Sequence, residues 1–598
     1  MLYFCAIMAQ TSLLGRILRW RLRHVDDRKF LLFLSVIVGI TAGFAAVIIK
    51  NSVHFIQSLL TADTSVEVHS YTYFIFPAVG IFVVVLFTKY LLRQPVGHGI
   101  PTTLYAISKD QGRIKRHNMF SSIITSAFTV GFGGSVGLEG PTVATGAAWG
   151  SNIGRFFHLN YRQVLLLLAC AGAGAMAAIF KAPIAAIVFV LEVLMVDLTM
   201  TSLLPLLFAS VSAVVTSMLF LGMNVLYPAE IDTGFRIEEL IYYILLGILG
   251  GIVSVYFTRM YRFIQLKFDT IKSAYWKWAL GVSTLGMLVF FFPALYGEGY
   301  GAINSCLQGE HNHLFDSSLF YTFQENANII FLFFVLMILL KAVATAVTFG
   351  AGGVGGVFAP TLFIGANTGL LFSRLMSHFG IKELPHSNFS LIGMGALIAG
   401  VLHAPLTAIF LIAEITGGYE LFLPLMIAAA VAYATTRIFE THSVYTYQLA
   451  RRGELFTHDK DKVVLSLLKV QNLIEKNFLT IGKDDSLGKL VTVIAKSQRN
   501  IISVIDEENN LLGIVFINDI RDIMFNRDLY DKVKVRELMY MPSPTVSPDE
   551  SMEQVASKFQ HTNHYNLPVV KDGKYMGFVS RANVFSAYRK MLKDFSDD

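Results

Sequence analysis

A single carboxylate stands inside a glycine-rich stretch of an otherwise apolar part of the sequence. The stretch is Gly134-Ser-Val-Gly-Leu-Glu-Gly-Pro141, and the carboxylate belongs to Glu139. Because proline is tolerated in the first turn of a helix, Pro141 predicts that a helix begins here. The free N–H groups at a helix start carry partial positive charge and favour an anion. We therefore predict an anion site at Gly137 to Gly140, with the Glu139 carboxylate in front of it.

Two further breaks in the apolar region have the same Gly-x-x-x-Pro spacing. They are Gly97-His-Gly-Ile-Pro101 and Gly356-Val-Phe-Ala-Pro360. Glycine lets a backbone approach a ligand closely and expose its N–H groups. Three such helix starts that converge near the middle of a membrane would attract an anion without a fixed cation. Glycines that only permit close helix packing are the alternative, but they do not explain the recurring proline.

The composition indicates a polytopic membrane protein followed by a soluble tail. The 598 residues are 54% hydrophobic and 15% charged, and apolar residues dominate from about residue 30 to residue 447. Much of the net charge of +6 lies beside membrane spans, so lipid headgroups explain it better than nucleic acid does. The three cysteines have neither a metal-binding spacing nor a pairing pattern, and we predict no metal site and no disulfide framework.

An arginine-rich segment precedes the first span. Residues 11–29 predict a cytoplasmic amphipathic helix at the membrane interface within an N-terminal region 1–29, with an exposed basic leader as the alternative. The first span, at about Phe30 to Lys50, has six basic residues before it, and residues 51–71 contain no Lys or Arg. The positive-inside rule therefore predicts a cytoplasmic N-terminus, and the tail is predicted to be cytoplasmic too. The membrane would be the cell membrane, or the inner membrane of a bacterium.

Further spans and breaks follow along the chain. The helix after Pro101 is too short to cross the hydrocarbon layer, and one helix is predicted between Pro360 and the break at His403. Residues 298–325 predict a loop with short helices. Spans are predicted at about 73–92, 119–129, 163–179, 203–222, 237–257, 277–297, 328–348 and 421–438.

The membrane region contains an internal repeat. Gly137 to Pro141 matches Gly356 to Pro360, and Ala182-Pro183 with Glu192 matches Ala404-Pro405 with Glu414. Both pairs of motifs are separated by nearly the same length of chain, which chance glycine clustering would not produce. Broken helices at matching positions of two halves mark a binding site at the midplane, and an odd number of crossings per half would invert the second copy. We therefore predict repeats at about 30–222 and 237–453.

Four segments together resemble the signature of the CLC family of chloride channels and chloride/proton antiporters. They are the three glycine breaks and the late segment Ser443-Val-Tyr-Thr-Tyr-Gln-Leu-Ala-Arg-Arg-Gly453, which contains Tyr445. The resemblance covers about residues 30–453 in the family's order and spacing. It implies a polytopic α-helical fold of two inverted repeats, and a homodimer with one path for chloride or another small anion in each subunit.

The resemblance also implies a role for particular residues. Glu139 would be a gating glutamate, whose carboxylate occupies an anion site and leaves when it is protonated or displaced by chloride. The N–H groups of Val357 and Phe358 and the hydroxyl of Tyr445 would hold the central anion. The outer site would use the N–H groups of Glu139 and Gly140. The first break would contribute His98, Gly99 and Ile100.

Two positions depart from the family pattern. Where most members have a serine whose hydroxyl coordinates the anion, this chain has His98. Its ring N–H could donate instead and add pH dependence, or the ring could turn aside and leave the backbone alone. Many antiporters carry a proton-accepting glutamate where this chain has Val193. A valine cannot relay a proton, and family channels also have an apolar residue at this position. Val193 therefore favours a channel. Some family members that lack this glutamate are nevertheless antiporters. Glu192 and Glu414 are predicted to be buried, hydrogen-bonded structural groups.

The tail contains two similar units after a linker at 454–469. Each has the order strand, turn, strand, helix, and together they resemble a CBS-domain pair at 470–530 and 535–598. Such pairs commonly bind adenine nucleotides. The usual ribose-binding aspartate is matched by Asp519, predicted to begin a helix, but replaced by Asn583 in the second unit, and Phe516 replaces a usual Ser or Thr. Nucleotide binding and a purely structural or dimer-stabilising role both stay open.

Other classes of function are disfavoured. A membrane enzyme that used Glu139 as a general base would lack a nearby nucleophile or metal cluster. A sodium-coupled symporter would need exposed carbonyl and carboxylate oxygens at its ion site to coordinate sodium. We therefore predict a voltage- or pH-influenced chloride channel gated by Glu139, and not an enzyme. The alternative is a chloride/proton antiporter that lacks the usual internal proton glutamate.

Overall fold

The computed structural model divides the chain into two compact units, Met1–Leu455 and Phe456–Asp598. Most of the predicted interfacial helix at 11–29 lies outside the residues that the structure describes, and so does His98. Those residues are 24–61, 70–94, 96–97, 99–196, 200–223, 227, 234–311, 314–315, 318, 320–323, 326–452, 465, 468–541, 544–562 and 564–596.

The first half of the membrane unit runs from α1 to α8, and a π-helical turn at Phe87–Leu92 continues α2. The first span is longer than predicted, because the chain beyond Lys50 stays helical to Thr61. The helices are α1 Asp27–Thr61, α2 Ser70–Leu86, α3 Ile100–Ser108, α4 Asn118–Gly131, α5 Glu139–Phe156, α6 Tyr161–Phe180, α7 Pro183–Glu192 and α8 Met200–Leu221.

The second half runs from α9 to α17, with 3₁₀ turns at Ile237–Glu239, Pro293–Leu295 and Tyr321–Phe323. The helices are α9 Leu240–Asp269, α10 Ala274–Phe291, α11 Tyr300–Leu307, α12 Ala327–Gly350, α13 Phe358–His378, α14 His386–Leu402, α15 Pro405–Thr416, α16 Phe422–Phe439 and α17 Tyr447–Arg451.

Two predicted boundaries in this half are wrong. The single helix expected after Pro360 is two helices, α13 and α14, because Gly380 adopts a positive φ and Pro385 lies just before α14. The span predicted to reach residue 297 ends at Phe291, where Pro293 stops the helix and begins a 3₁₀ turn.

Among the described residues, eight helices are long and apolar enough to cross a membrane. The others include short apolar helices such as α7, which has 10 residues and a length of about 15 Å at ~1.5 Å per residue. Such helices enter the membrane region and stop inside it. Their ends must therefore meet one another or line a path.

The repeat predicted from the motifs extends into the packing of the helices. In α5, a Cβ on Gly146 or Gly150 would overlap the backbone of α6. In α13, Gly365 and Gly369 follow Pro360 at the spacing with which Gly146 and Gly150 follow Pro141, and they meet the backbone of α14 in the same way. Small residues at these four positions let each helix pair approach closely. The pair α13–α14 is thus the second copy of α5–α6.

The described residues of the tail form two small sheets. In the first, β1 pairs with β2 in parallel and β2 pairs with β3 antiparallel, while the second pairs β4 with β5 antiparallel. The strands are β1 Thr480–Gly482, β2 Ile501–Ile505, β3 Leu511–Phe516, β4 Asn566–Lys571 and β5 Lys574–Ser580. The helices are α18 Leu487–Lys496, α19 Val535–Leu538, α20 Met552–Thr562 and α21 Arg581–Ser596, and 3₁₀ turns lie at Val470–Leu473, Ile517–Ile520 and Arg527–Leu529.

An aromatic contact joins the two halves of the tail. The rings of Phe478 and Phe578 lie 4.4 Å apart between centroids and are buried with Ile501 and Ile514. The α-helix predicted from Asp519 is wrong, since residues 517–520 form a 3₁₀ turn. Asn and Asp compete locally for backbone hydrogen bonds, which disfavours a longer helix here.

Candidate anion site

Two glycine breaks from opposite halves of the membrane unit pair with each other. The Gly137 N–H donates to the Gly356 carbonyl at 2.8 Å, and the Gly356 N–H donates to the Gly137 carbonyl at 2.7 Å. This reciprocal bridge lies immediately before the starts of α5 and α13. The two helix starts are therefore held next to each other.

The start of α3 joins this pair through glycine contacts. Gly99 has φ +70°, and a Cβ there would lie 2.8 Å from the Gly140 carbonyl carbon. A Cβ on Gly140 would lie 3.2 Å from the Gly356 Cα. Side chains at these positions would push the three helix starts apart. Gly99 and Ile100 are accordingly close to the other predicted anion ligands, whereas the side chain of His98 lies outside the described residues.

The carboxylate of Glu139 lies between two helix starts and is fully buried, at 0% exposure. Its Oε1 accepts a hydrogen bond from the Tyr300 hydroxyl at 3.0 Å. Its Oε2 forms no hydrogen bond with any residue in the described part of the chain. The N–H groups of Glu139 itself and of Ala359 are close enough to interact with the carboxylate. A Cβ on Gly137 would clash with Oε2.

A cavity of about 20 Å³ lies beside the three helix starts. This is room for about one water-sized particle, since such an occupant needs ~10–15 Å³. The buried Tyr445 hydroxyl, at this cavity, has no hydrogen-bond partner among the described residues. The first N–H groups of a helix have no partner within it, so Val357 and Phe358 present donors as well. The cavity is lined by Pro101, Gly140, Tyr261, Phe349, Gly355, Gly356, Val357, Val444, Tyr445 and Gln448.

Part of this lining was not predicted from the sequence. Tyr261 and Phe349 come from α9 and α12, and the ring of Tyr261 packs edge-on against that of Phe349 at 5.7 Å. Both residues lie in long apolar segments where nothing distinguishes a cavity-lining aromatic from a core aromatic. Gln448 was within the recognised late segment but was not assigned to the site.

A second group of ionisable residues next to Glu139 was also missed. Glu298 accepts a hydrogen bond from the Leu138 N–H at 3.2 Å and interacts with the charges of Glu139 and Lys50. The Lys50 ammonium donates to the Ile179 carbonyl at 3.0 Å. The signal in the sequence was a lone carboxylate between glycines in Gly297-Glu-Gly-Tyr300, at the boundary of a predicted span.

The two repeats exchange helix caps through Glu192 and Glu414. The Glu192 carboxylate accepts the N–H groups of Leu406 and Thr407 at 2.9 and 2.7 Å and the Thr407 hydroxyl at 2.7 Å. The Glu414 carboxylate accepts the N–H groups of Ile184 and Ala185 at 3.0 and 2.8 Å. Both glutamates are hydrogen-bonded, but they are half-buried rather than buried as predicted.

Val193 follows Glu192 at the end of α7. Its side chain is buried, at 3% exposure. No group there can take up a proton. The position next to the carboxylate of Glu192 is therefore apolar in the structure as well as in the sequence.

A match to a known protein family identifies the kind of protein that carries this site. The family described as "Voltage gated chloride channel" matches residues 79–437, which is more than half of the chain, and the CBS domain matches residues 470–526 and 535–590. The chain belongs to the voltage-gated chloride channel, or CLC, family. It is an integral membrane protein that carries a CBS-domain pair, and its family comprises chloride channels and chloride/proton antiporters.

Individual relatives agree with this membership. A ClcB-like protein of Ralstonia nicotianae (strain ATCC BAA-1114 / GMI1000) is 31% identical over 385 residues, which cover 63% of this chain and 85% of the relative. The voltage-gated ClC-type chloride channel ClcB of Escherichia coli O17:K52:H18 is 27% identical over 71% of this chain and 99% of the relative.

Solved structures share the fold of the membrane unit. A slow cyanobacterial Cl⁻/H⁺ antiporter is 22% identical with a TM-score of 0.61, and the match covers 73% of this chain and all of that one. A eukaryotic CLC transporter is 18% identical with a TM-score of 0.59, and the match covers 92% of this chain and 97% of that one. These likenesses confirm the two-repeat helical fold followed by an α/β tail.

The CBS pair places the two predicted nucleotide residues differently. Asp519 lies in the 3₁₀ turn after β3, and burial together with the Asp519 charge raises the pKa of Tyr540. The Asn583 side chain is engaged, since its Nδ2 donates to the Leu473 carbonyl at 3.4 Å. Its own N–H donates to the Ser580 hydroxyl at 3.1 Å. The Asp519 side chain is exposed, whereas the side-chain amide of Asn583 is engaged by the Leu473 carbonyl.

Proposed function

We propose that this chain conducts chloride passively through a path that the carboxylate of Glu139 closes. One observation carries the proposal. The Glu139 carboxylate is buried against the N–H groups at the starts of α5 and α13, and the next residue, Gly140, lines the cavity that presents the Tyr445 hydroxyl. A negatively charged side chain in that position competes with a chloride ion for the same donors.

The helix starts supply the electrostatics of this competition. Each helix N-terminus carries roughly half a positive charge from its unpaired N–H groups. A charged Glu139 is bound there as an anion would be, and it excludes chloride. When Glu139 is protonated, its attraction to the N–H groups falls, and chloride takes its place. The gate therefore opens at low pH or high chloride concentration.

The same geometry supports a set of anion ligands. The N–H groups of Val357 and Phe358 and the Tyr445 hydroxyl hold an anion in the cavity, and those of Glu139 and Gly140 hold one where the carboxylate now lies. Gly99 and Ile100 bring the third helix start to this point. A ring N–H of His98 is proposed as a further donor at the site.

Passive conduction is favoured over proton coupling by Val193, which is buried and apolar at the end of α7. Coupled antiport is the second candidate, and it is favoured by Glu298, a second carboxylate that interacts with Glu139. Reversal potentials of the purified protein in liposomes, under opposed chloride and proton gradients, distinguish the two. A potential that follows chloride alone supports the channel, and a potential that moves with the proton gradient overturns it.

We propose the usual assembly and orientation for this family member. Two copies form a homodimer with one path in each, and both termini lie in the cytoplasm, in agreement with the basic residues before α1. Chemical cross-linking of the purified protein, followed by its separation under denaturing conditions, would detect the dimer. Accessibility of a cysteine placed at the tail to a membrane-impermeant reagent would test the orientation.

We also propose that the CBS pair binds an adenine nucleotide through Asp519. The binding is measured on the full-length protein by equilibrium titration with ATP. Asp519→Asn is expected to weaken binding more than Asn583→Ala, because the amide of Asn583 is already bonded to Leu473. Equal affinities for wild type and Asp519→Asn would leave the pair with a structural role.

A further inference from the structure

The segment between α10 and α11, residues 293–300, lies against the loop that leads into α5. We call it the strap. The Ser135 hydroxyl donates to the Leu295 carbonyl at 2.7 Å, and the Gly297 N–H donates to the Gly133 carbonyl at 3.1 Å. Lys341, which is fully buried, donates from Nζ to the carbonyls of Leu295 and Gly297 at 3.3 and 3.0 Å. The strap is thus fixed at three points.

Two side chains of the strap reach the first residues of α5. Gly297 and Gly299 adopt positive φ values of 62° and 86°, and the two turns direct Glu298 and Tyr300 to the same place. Glu298 accepts the Leu138 N–H at 3.2 Å, and the Tyr300 hydroxyl donates to Oε1 of Glu139 at 3.0 Å. One acid and one phenol therefore contact adjacent positions of the gate.

Tyr300 lies between two carboxylates. Its hydroxyl donates to Oε1 of Glu139, and it also interacts with the charged carboxylate of the neighbouring Glu298. Glu139 is fully buried, whereas residue Glu298 retains some exposed surface. Two carboxylates that interact in this way titrate as a pair, so a proton taken up by one changes the protonation of the other.

Other charged and titratable groups face Glu298 from the neighbouring elements. Lys50 of α1 interacts with both acids, and Lys181 interacts with Lys50. Tyr227 is fully buried with its ring 5.8 Å from that of Tyr300, and it interacts with Glu298. Lys341 interacts with Glu298 as well. The pair of acids is therefore set between cations and phenols.

We infer that Glu298 delivers protons to Glu139 through Tyr300. This rests on the proposed gate. Glu298 takes a proton from water and passes it to the Tyr300 oxygen, while the Tyr300 hydroxyl proton moves to Oε1 of Glu139. Tyr300 is neutral before and after the transfer, Glu298 is again a carboxylate, and one proton has moved. Neutral Glu139 then leaves the helix starts.

The protons come from the outer side in the orientation proposed above. Lys272 and Lys277 flank the start of α10, which places that end in the cytoplasm and the strap at the opposite end. Lys50 lies towards the far end of α1 from the basic residues Arg28 and Lys29. Both elements place the proton entry on the external face.

The test is the speed with which chloride current rises after a rapid acid step, applied to either face of a patch from protein-containing giant liposomes. Glu298→Gln keeps an oxygen that accepts the Leu138 N–H but cannot carry the proton, and Tyr300→Phe keeps the ring but loses the bridge. Each variant is expected to slow the rise of current after external acid at least about tenfold. A positioned proton donor or acceptor accelerates proton transfer by more than this, typically about a hundredfold or more. The response to internal acid is expected to stay as in wild type.

Glu298→Ala is the control for a structural role, because it also removes the acceptor for Leu138. If Glu298→Ala slows the response and Glu298→Gln does not, Glu298 is only a cap and the inference is wrong. Slowing of the internal response instead would overturn the external placement. If Glu298→Gln does not fold, Tyr300→Phe alone decides. Glu139→Gln tests the gate separately. If the chloride current of Glu139→Gln depends on pH as in wild type, the gate assignment is refuted. If Glu139→Gln loses its pH dependence while Glu298→Gln and Tyr300→Phe respond to acid as fast as wild type, only the relay is refuted.

Discussion

Glu192 and Glu414 each cap the start of a helix in the opposite repeat. Removal of either carboxylate is therefore expected to lower the free energy of unfolding by a predictable amount. Each carboxylate lies at or near the end of its own helix and accepts hydrogen bonds from the start of the equivalent helix in the other repeat. Glu192 accepts three donors, at 2.9, 2.7 and 2.7 Å, and Glu414 accepts two, at 3.0 and 2.8 Å. Alanine at either position leaves these helix starts without an acceptor.

The magnitude follows from the type and number of the contacts. Loss of a helix N-cap costs about 0.5–2 kcal/mol, and a hydrogen bond to a charged group contributes about 1.5–3 kcal/mol. The two ranges describe overlapping interactions, and both carboxylates are half-buried. We therefore expect Glu192→Ala to cost about 2–4 kcal/mol and Glu414→Ala about 1–3 kcal/mol. For a chain of 598 residues, a cost of this size lowers the unfolding midpoint by roughly 1–4 °C.

The assay is thermal unfolding of the purified full-length protein in detergent. Glu420→Ala is the matched control, because Glu420 is exposed in the loop between α15 and α16. Midpoints for Glu192→Ala no lower than that of Glu420→Ala would refute the capping argument. A larger loss for Glu414→Ala than for Glu192→Ala would show that the number of accepted bonds does not set the cost. Reversal potentials of Glu192→Gln are expected to match wild type, since Glu192 acts here as a cap.

The remaining predictions concern the glycines, the cavity and the tail. Gly137→Ala is expected to raise chloride efflux from liposomes, because its Cβ would clash with Oε2 of Glu139; Gly301→Ala, where a Cβ meets nothing within 4 Å, serves as control, and equal effluxes would contradict the prediction. Tyr445→Phe is expected to weaken chloride binding, measured by calorimetry, by about tenfold to a hundredfold, since a hydrogen bond to an ion contributes ~1.5–3 kcal/mol. Unchanged affinity would exclude the hydroxyl as a ligand. In the tail, hydrogen bonds from the side chain and N–H of Asn510 lower the pKa of Asp506. Because the pKa of Asp506 is lower in the folded state, its contribution to stability is complete above the unfolded pKa, about 4, and is lost as the pH falls below that value. Proteolysis of this turn in the full-length wild-type protein should therefore increase below about pH 4. Asp506→Asn should show no such increase.

The sequence predicted the parts of this fold whose physical signals are local. Each glycine break ending in proline predicted a helix start, and α3, α5 and α13 begin there, since proline fixes the backbone and glycine allows close approach. The two strand–turn–strand pairs predicted for the tail are present, and β2 at Ile501–Ile505 belongs to the first of them. Its run of β-branched residues is bounded by polar turns on either side.

Other elements were missed because their signal is not local. The helix α14 was merged with α13, although Gly365 and Gly369 repeat Gly146 and Gly150 at the motif offset. Extending the repeat beyond the motifs would have predicted a second copy of α6. The reciprocal caps of Glu192 and Glu414 could not be predicted, because each carboxylate and its donors belong to opposite repeats and are far apart in the chain.

The ionisable groups around the gate were the least accessible to sequence reasoning. Glu298 looked like the first residue of a polar loop, and Lys50 looked like the end of a span. Only the folded chain brings them next to Glu139, where burial makes each charge matter. The proposed roles of the anion ligands, including His98, stay predictions until transport by the variants is measured.

The most direct test of the gate is chloride efflux from liposomes that contain wild type or Glu139→Gln, measured across a range of pH. Glutamine has nearly the shape of protonated glutamate and cannot compete with chloride as an anion. We predict that Glu139→Gln is open at neutral pH and that its efflux no longer depends on pH, while an exposed control, Glu420→Gln, behaves as wild type. Efflux through Glu139→Gln with the rate and pH dependence of wild type would contradict the assignment of Glu139 as the gate.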